Sequence, residues 1–235
     1  MQKGKLYLIP SSLGGDDLAS VIPSRVFEVI NETDHYIVEN IKSAAKFLKL
    51  AGLKKPLKEL TFYVLTKETP PGEYLSYLDE AMNGNNIGIL SEAGAPCIAD
   101  PGAQVATLAH EKSITVIPLS GPSSIIMAMM ASGLNGQNFA FNGYLPIDQK
   151  ARRDKLKELE KKVKHDNQSQ IFIEAPHRND KLFEEILSTC TPELKLSISK
   201  NLTLPDEYVK TEPISYWKKN PIKFGKIPAI FILGK

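Results

Sequence analysis

The chain has 235 residues, 42% of them hydrophobic, and a net charge of +2. That is enough to bury a core in one large or two small domains, and it excludes a global basic or acidic signal. No window approaches the roughly 18–20 apolar residues of a spanning helix, and Cys97 and Cys190 fit neither a disulfide framework nor a metal-ligand spacing, so a soluble, cytoplasmic protein with reduced thiols and no metal is expected.

Strand-like and helix-like segments alternate along the first half. Lys5–Pro10 is a short buried-strand run, and Ser24–Asn31 carries Val26, Val29 and Ile30 at helical spacing. Tyr36–Glu39 is strand-like, and Ser43–Ala51 is a helix stopped by Gly52. Thr61–Thr66 is aromatic and β-branched, Glu73–Met82 is helical, and Ile87–Ser91, Ala103–Lys112 and Ile114–Leu119 complete a strand, a helix and a strand. Five strands with intervening helices predict a parallel sheet covered by helices.

The second half reads differently. A small-residue helix, Ser123–Ser132, with Met127, Met129 and Met130 expected in the core, leads to a strand around Phe139–Phe141. A charged helix from Ala151 to Lys164 carries Leu156, Leu159 and Val163 as one apolar stripe. Strands are predicted at Gln170–Glu174, Lys195–Ser199, Tyr208–Lys210 and Pro228–Leu233, and a helix at Asn179–Thr189. The surplus of strands predicts a mixed sheet with antiparallel pairing. The expected organisation is an α/β chain of two domains, residues 1–118 and 119–235. The first has net charge −3 and the second +5.

Several common signatures are absent: no Gly-x-Gly-x-x-Gly follows the first strand, no phosphate-binding loop ends in Gly-Lys-Ser/Thr, and the four histidines are scattered. Three loops stand out instead. They are Pro10–Gly15 after the first strand, Ser91–Gly102 after the fourth, and Ser120–Ser124 after the fifth. Each is compatible with a turn-rich connection, but all three fall at strand carboxyl ends, where parallel sheets bind ligands. The second holds two glycines, two prolines and two carboxylates in 12 residues. The third offers hydroxyls and helix N-terminal amides to a carboxylate.

Individual side chains carry two readings each. Glu92 is either a base or cation-facing carboxylate, or a hydrogen-bond acceptor for its own loop. Asp100 is expected mainly as a helix N-cap. Glu174, His177 and Arg178 form either a catalytic group, with His177 suited to proton transfer and Arg178 to a phosphate clamp, or a structural ion-pair network. Lys150, Arg152 and Arg153 form a charged helix start, which is ordinarily just solvated; because cations there oppose the helix dipole, an anionic ligand such as a phosphate is the second reading.

The runs Leu90-Ser-Glu-Ala-Gly-Ala-Pro-Cys-Ile-Ala-Asp-Pro-Gly102, Pro118-Leu-Ser-Gly-Pro-Ser-Ser124, Ala131-Ser-Gly-Leu134, Phe139-Ala-Phe-Asn-Gly-Tyr-Leu-Pro146 and Ile171-Phe-Ile-Glu-Ala-Pro-His-Arg178 resemble, in order, the blocks of the tetrapyrrole methylase superfamily. The later blocks resemble its branch of small-subunit ribosomal RNA methyltransferases, which methylate a cytidine ribose 2′-hydroxyl. The resemblance implies a homodimer and S-adenosylmethionine bound in a cleft between domains. It places Pro10, Ser91, Glu92, Gly94, Pro96, Ile98, Asp100, Ser123 and Ser124 at that cofactor. It sets Ser132, Gly133 and Leu134 with Pro228 and Ala229 around the adenine; the residues' own chemistry makes Glu92, Glu174, His177 and Arg178 the candidates for the reaction. It implies an RNA substrate, for which Glu39, Lys42, Lys150, Arg152 and Arg153 are the candidate contacts by their charge and place. The sequence departs from the branch at the first loop, at Asn40 (Asp there) and Lys42 (Arg there), and after the third strand. Lys42 cannot reproduce a bidentate arginine contact. A methylase of a small molecule such as a tetrapyrrole, and a non-catalytic S-adenosylmethionine-binding module, are the alternatives.

Overall fold

In a computed structural model, which describes residues 2–235, the chain divides into two compact units, residues up to Ser123 and Ser124–Lys235. The third loop therefore stays with the first unit through Ser123, whereas the sequence placed the boundary ahead of it, at 118/119.

The first unit holds β1 (Lys5–Ile9), α1 (Ser24–Asn31), β2 (His35–Val38), α2 (Ile41–Leu50), β3 (Thr61–Val64), α3 (Asp79–Met82), β4 (Ile87–Leu90), α4 (Gly102–Glu111) and β5 (Thr115–Pro118). All five strands are parallel, in the order β3-β2-β4-β1-β5. Alternate residues face opposite sides of the sheet. Tyr7, Ile9, Tyr36 and Val38 pack with Val26, Val29 and Ile30 of α1 and Leu48 of α2. Leu6, Ile37, Ile87 and Ile89 pack with Val105, Leu108 and Ala109 of α4. Burying each such aliphatic side chain contributes about 1.5–3 kcal/mol, so both faces are committed.

The helix expected over Glu73–Met82 is not continuous. A 3₁₀ turn at Tyr74–Ser76 precedes the four-residue α3. The reason is tertiary: the Tyr77 hydroxyl donates to the Val64 carbonyl at 2.7 Å, and Leu78 is fully buried. Holding both at once bends the chain away from helical geometry.

The second unit holds α5 (Ser124–Ser132), β6 (Phe139–Tyr144), α6 (Gln149–Asp166), β7 (Ser169–Ile173), α7 (Asn179–Thr189), β8 (Lys195–Lys200), β9 (Tyr208–Pro213), α8 (Ile214–Lys219) and β10 (Ala229–Gly234). The sheet order is β6-β7-β10-β8-β9; β6 and β7 are parallel, and every other pairing is antiparallel. The mixed character read from the sequence is present. Helix α8 was missed there because six residues are too few for a periodic signal. It forms because Ile214 and Trp217 enter the core and the Trp217 indole donates to the Leu196 carbonyl at 2.9 Å. Leu156, Leu159 and Val163 of α6 pack with Leu182, Phe183 and Ile186 of α7 on Phe172, Leu196 and Phe231.

Helix α5 lies against β8, β9 and β10. Ala128 and Met129 are buried, Met127 is half-buried and Met130 is 77% exposed, so of the three methionines expected in the core only Met129 is fully there. At nine residues the helix buries one face only, and Met130 is on the other.

Among the described residues, no helix is long and apolar enough to cross a membrane, and no cluster of His, Cys, Asp and Glu is arranged to hold a metal ion.

Candidate functional site

β1 and β4 are neighbours, yet the chain leaves β1 toward β2 and leaves β4 toward β5, in opposite directions across the sheet. That divergence opens a crevice at their carboxyl ends. The three unusual loops meet there. Ser11 and Gly94 exchange backbone hydrogen bonds, Ser11 N–H to Gly94 O at 3.0 Å and Gly94 N–H to Ser11 O at 3.1 Å. The Ser11 hydroxyl donates to Ser91 O at 2.7 Å, and the Ser91 hydroxyl to Gly94 O at 3.1 Å. The first loop also meets the third: a Cβ on Gly121 would stand 2.3 Å from Pro10 Cγ. The second meets the third, since a Cβ on Gly94 would lie 3.0 Å from Leu13 and 3.4 Å from the Pro122 carbonyl.

The second loop is strained. Gly94 has φ +77°, and two residues with side chains, Cys97 and Ala99, have φ +66° and +65°. Each such non-glycine residue costs on the order of 1–3 kcal/mol. Asp100 holds the loop in that form. Its carboxylate accepts from Cys97 N–H at 2.9 Å and Gly102 N–H at 2.8 Å. Helix α4 starts at Gly102 with Pro101 at the cap position, so the N-cap expected of Asp100 is displaced by one residue. The carboxylate secures the loop as much as the helix. Burial pushes the Cys97 thiol up to about 12, aided by Asp100, so it stays protonated and unreactive.

Beside these loops lies a cleft of about 230 Å³, lined by Ser11, Glu39, Ser43, Phe47, Ser91 and Glu92 among others. Glu39 directly follows β2 and accepts from the Glu92 N–H at 3.4 Å. Burial raises its carboxyl above the ordinary range, with Asp100 and Glu92 adding to the effect and the Glu92 amide and Lys67 opposing it. Glu92 is exposed and accepts from the Ser43 hydroxyl at 2.6 Å. Ser43 was not singled out from the sequence. The signal for it was Asn40, whose side chain caps α2 by accepting from Lys42 N–H at 2.8 Å and Ser43 N–H at 3.3 Å, which fixes Ser43 in the first turn. Lys42 is exposed. Pro96 is buried and Ile98 exposed in the second loop, and Ser123 is half-buried in the third.

The other expected site residues lie in the second unit. The buried Glu174 accepts from Arg178 at 2.6 Å and from the Ala175 N–H at 2.6 Å, while His177 is exposed. Ser124 opens α5. The Ser132 hydroxyl donates to Met129 O and accepts from Leu134 N–H, and Gly133 has φ +67°. Leu134 packs against Gly234, at one end of β10, whereas Pro228 and Ala229 are at the other. Between them, the Ser132 carbonyl accepts from the Thr211 hydroxyl at 2.7 Å, and Thr211 is in register with Ser197 and through it with Ile232 in the middle of β10.

Arg152 is a correction. Its guanidinium pairs in two-pronged fashion with Glu185, Nη2 to Oε1 at 2.8 Å, and donates to Pro146 O at 3.0 Å and Ile147 O at 2.7 Å. Arg152 and Glu185 are 4% and 5% exposed. This guanidinium is committed inside the fold and does not face RNA; Lys150 and Arg153 are exposed.

No family model matches the chain. Curated relatives do. The protein "Ribosomal RNA small subunit methyltransferase I" of Vibrio cholerae is 30% identical over 212 residues, 89% of this chain and 69% of the relative. Its namesake in Escherichia coli O157:H7 is 30% identical over 90% of this chain and 70% of its own length. That of Buchnera aphidicola subsp. Schizaphis graminum is 31% identical over 98% and 78%. Among solved structures, the methyltransferase CobJ has a TM-score of 0.66 at 14% identity, covering 99% of this chain and 94% of its own. Uroporphyrin-III-C-methyltransferase from Thermus thermophilus has 0.58 at 19%, covering 100% and 93%; both share the two-unit fold. A glycine-stitched pocket at the carboxyl edge of a parallel sheet is thus joined by relatives at 30% identity over most of both chains, and the chain belongs to the ribosomal RNA small subunit methyltransferase I family of methyltransferases.

Proposed function

We propose that the chain transfers a methyl group from S-adenosylmethionine to a ribose 2′-hydroxyl of small-subunit ribosomal RNA, using the three-loop pocket of its first unit. The observation that carries this reading is the locked second loop. Gly94, Cys97 and Ala99 are all left-handed; the backbone pair with Ser11 fixes Gly94, and Asp100 ties Cys97 to Gly102 around Ala99. Such strain persists where a ligand needs a preformed backbone.

The residues suit the cofactor's chemistry. Pro10, Ser91, Glu92, Gly94, Pro96, Ile98, Asp100 and Ser123 would hold it. The small side chains of the second loop permit close backbone approach, and the carboxylates Glu39 and Glu92 complement a sulfonium or an ammonium. When bound, S-adenosylmethionine supplies a methyl carbon already activated by its positive sulfur. The protein's remaining tasks are to align a hydroxyl and accept its proton.

Glu39 suits the second task. Desolvation makes its carboxylate more basic. Glu39→Gln is expected to lower kcat by about 10²–10⁴-fold with little change in KM. The same substitution is expected not to destabilise the fold at neutral pH. A carboxyl with a raised folded pKa costs stability once the unfolded chain ionises, above about pH 4.3. The variant should therefore match or exceed the wild type in urea melts at pH 7 and lose any advantage at pH 3. Wild-type turnover in the variant would remove Glu39 from the reaction.

The reading as a whole is tested by calorimetric titration with S-adenosylmethionine, then incubation with methyl-labelled cofactor and undermodified small ribosomal subunits. Binding with label in the ribosomal RNA is expected. Binding without label would move the acceptor to a small molecule or leave a non-catalytic module. No binding would overturn the cofactor.

A further inference from the structure

Helix α6 sorts its cations. On one flank Lys155 and Lys162 both pair with Glu158, and near the C-terminal end Lys164 pairs with the buried Glu160. Arg152 faces inward to Glu185. Four cations remain: Lys150, Arg153, Lys157 and Lys161, all exposed. Their spacings of three, four and four residues put them within about 80° of arc, in a stripe roughly 16 Å long. Among the described residues none of the four makes an ion pair, although the Asp154 carboxylate borders them.

Such an arrangement works against the helix. Like charges three or four residues apart repel, and Lys150 and Arg153 stand at the end where the helix dipole disfavours cations; the first turn carries no acid. A merely solvated face would be expected to interleave its acids with its bases, as the Glu158 flank does. Tyr144 and Ile147, 51% and 73% exposed, stand just before the helix and its first stripe residue. Cations beside exposed aromatic and apolar side chains are the chemistry of single-stranded RNA binding: charge for the phosphates, and a flat surface for an unstacked base.

We propose that the stripe Lys150–Arg153–Lys157–Lys161 is a track for the phosphodiester backbone of single-stranded RNA, with Tyr144 receiving a base at its start. The inference rests on the RNA reading above and extends it along α6, in place of the committed Arg152.

The test uses the full chain and a fluorescent single-stranded RNA oligonucleotide, with affinity measured by anisotropy over a range of salt. Each phosphate contact contributes about 0.7 to the log–log salt slope on a single strand. The variant Lys150→Gln/Arg153→Gln/Lys157→Gln/Lys161→Gln is expected to flatten the slope by about 2 to 3, with an unchanged or higher melting temperature and unchanged cofactor affinity. The control Lys155→Gln/Lys162→Gln also removes two positive charges from α6 and is expected to leave the slope as it was. Tyr144→Ala is expected to weaken binding without changing the slope. A stripe variant that keeps the wild-type slope, or a control that loses as much per charge, would overturn the track. Methyl transfer by the wild type separates the two ideas. Label in RNA with an unchanged stripe slope leaves the enzyme reading standing without the track. A stripe-dependent slope without label leaves the track and removes the reading. A wild type that binds no RNA overturns both.

Discussion

Arg152→Ala is expected to destabilise the second unit by about 3–5 kcal/mol in urea titrations followed by Trp217 fluorescence. Most of the loss comes from what is left behind. Without its guanidinium partner, Glu185 is a carboxylate buried between α6 and α7 that keeps only the lesser support of Gln149 and Arg153 against its desolvation. The Pro146 and Ile147 carbonyls also lose their donor, which loosens the turn into α6. A double variant, Arg152→Met/Glu185→Leu, is expected to recover much of the stability, because a packed apolar pair of similar volume avoids desolvating charge altogether.

The pH dependence has a definite sign. The Arg152 guanidinium holds the Glu185 carboxyl below the usual carboxylate range. A depressed folded pKa gives stability that is fully present above the unfolded value of about 4.3 and is lost as pH falls through the folded value. The gap between wild type and Arg152→Ala is therefore expected to be largest at neutral pH and to narrow in acid. The same variant separates structure from binding: its RNA salt slope, measured where it is folded, should equal the wild type's. A flatter slope, or a loss under 1 kcal/mol, would return Arg152 to the RNA-facing set.

Gly94→Val is expected to abolish measurable S-adenosylmethionine binding in calorimetry and to lower methyl transfer by at least about 100-fold, while the parallel sheet still melts cooperatively. A β-branched residue is strongly disfavoured at φ +77°. Its Cβ would press on Leu13 and the Pro122 carbonyl. Relief requires the second loop to move off the first and third, which breaks the Ser11–Gly94 backbone pair. Gly94→Ala should show the same effect in smaller measure, since it keeps the φ penalty without the branch. Wild-type affinity in Gly94→Val would separate the pocket from the cofactor.

Much of the fold was legible because the apolar pattern is strong where burial is strong. Val26, Val29 and Ile30 mark α1, and all five strands of the first unit stand out as short apolar runs between turn residues. The segment over residues 73–82 and helix α8 were not legible. Their conformation depends on Tyr77 reaching Val64 and on Trp217 reaching Leu196, partners 13 and 21 residues away that no local period encodes.

The site divides the same way. The sequence by itself determined the three loops, their place at strand carboxyl ends, and the glycines that let them meet, because turn chemistry and strand order are written locally. It also carried the family resemblance, through blocks that lie in order along the chain. Only the tertiary structure decided which charges are free to act. Arg152 and Lys150 are indistinguishable in the sequence, but one points at Glu185 across a helix pair and the other at solvent. Likewise Ser132 meets Thr211, 79 residues away, only because α5 lies against β9. Charge availability and distance depend on which elements pack together, and a one-dimensional pattern carries neither.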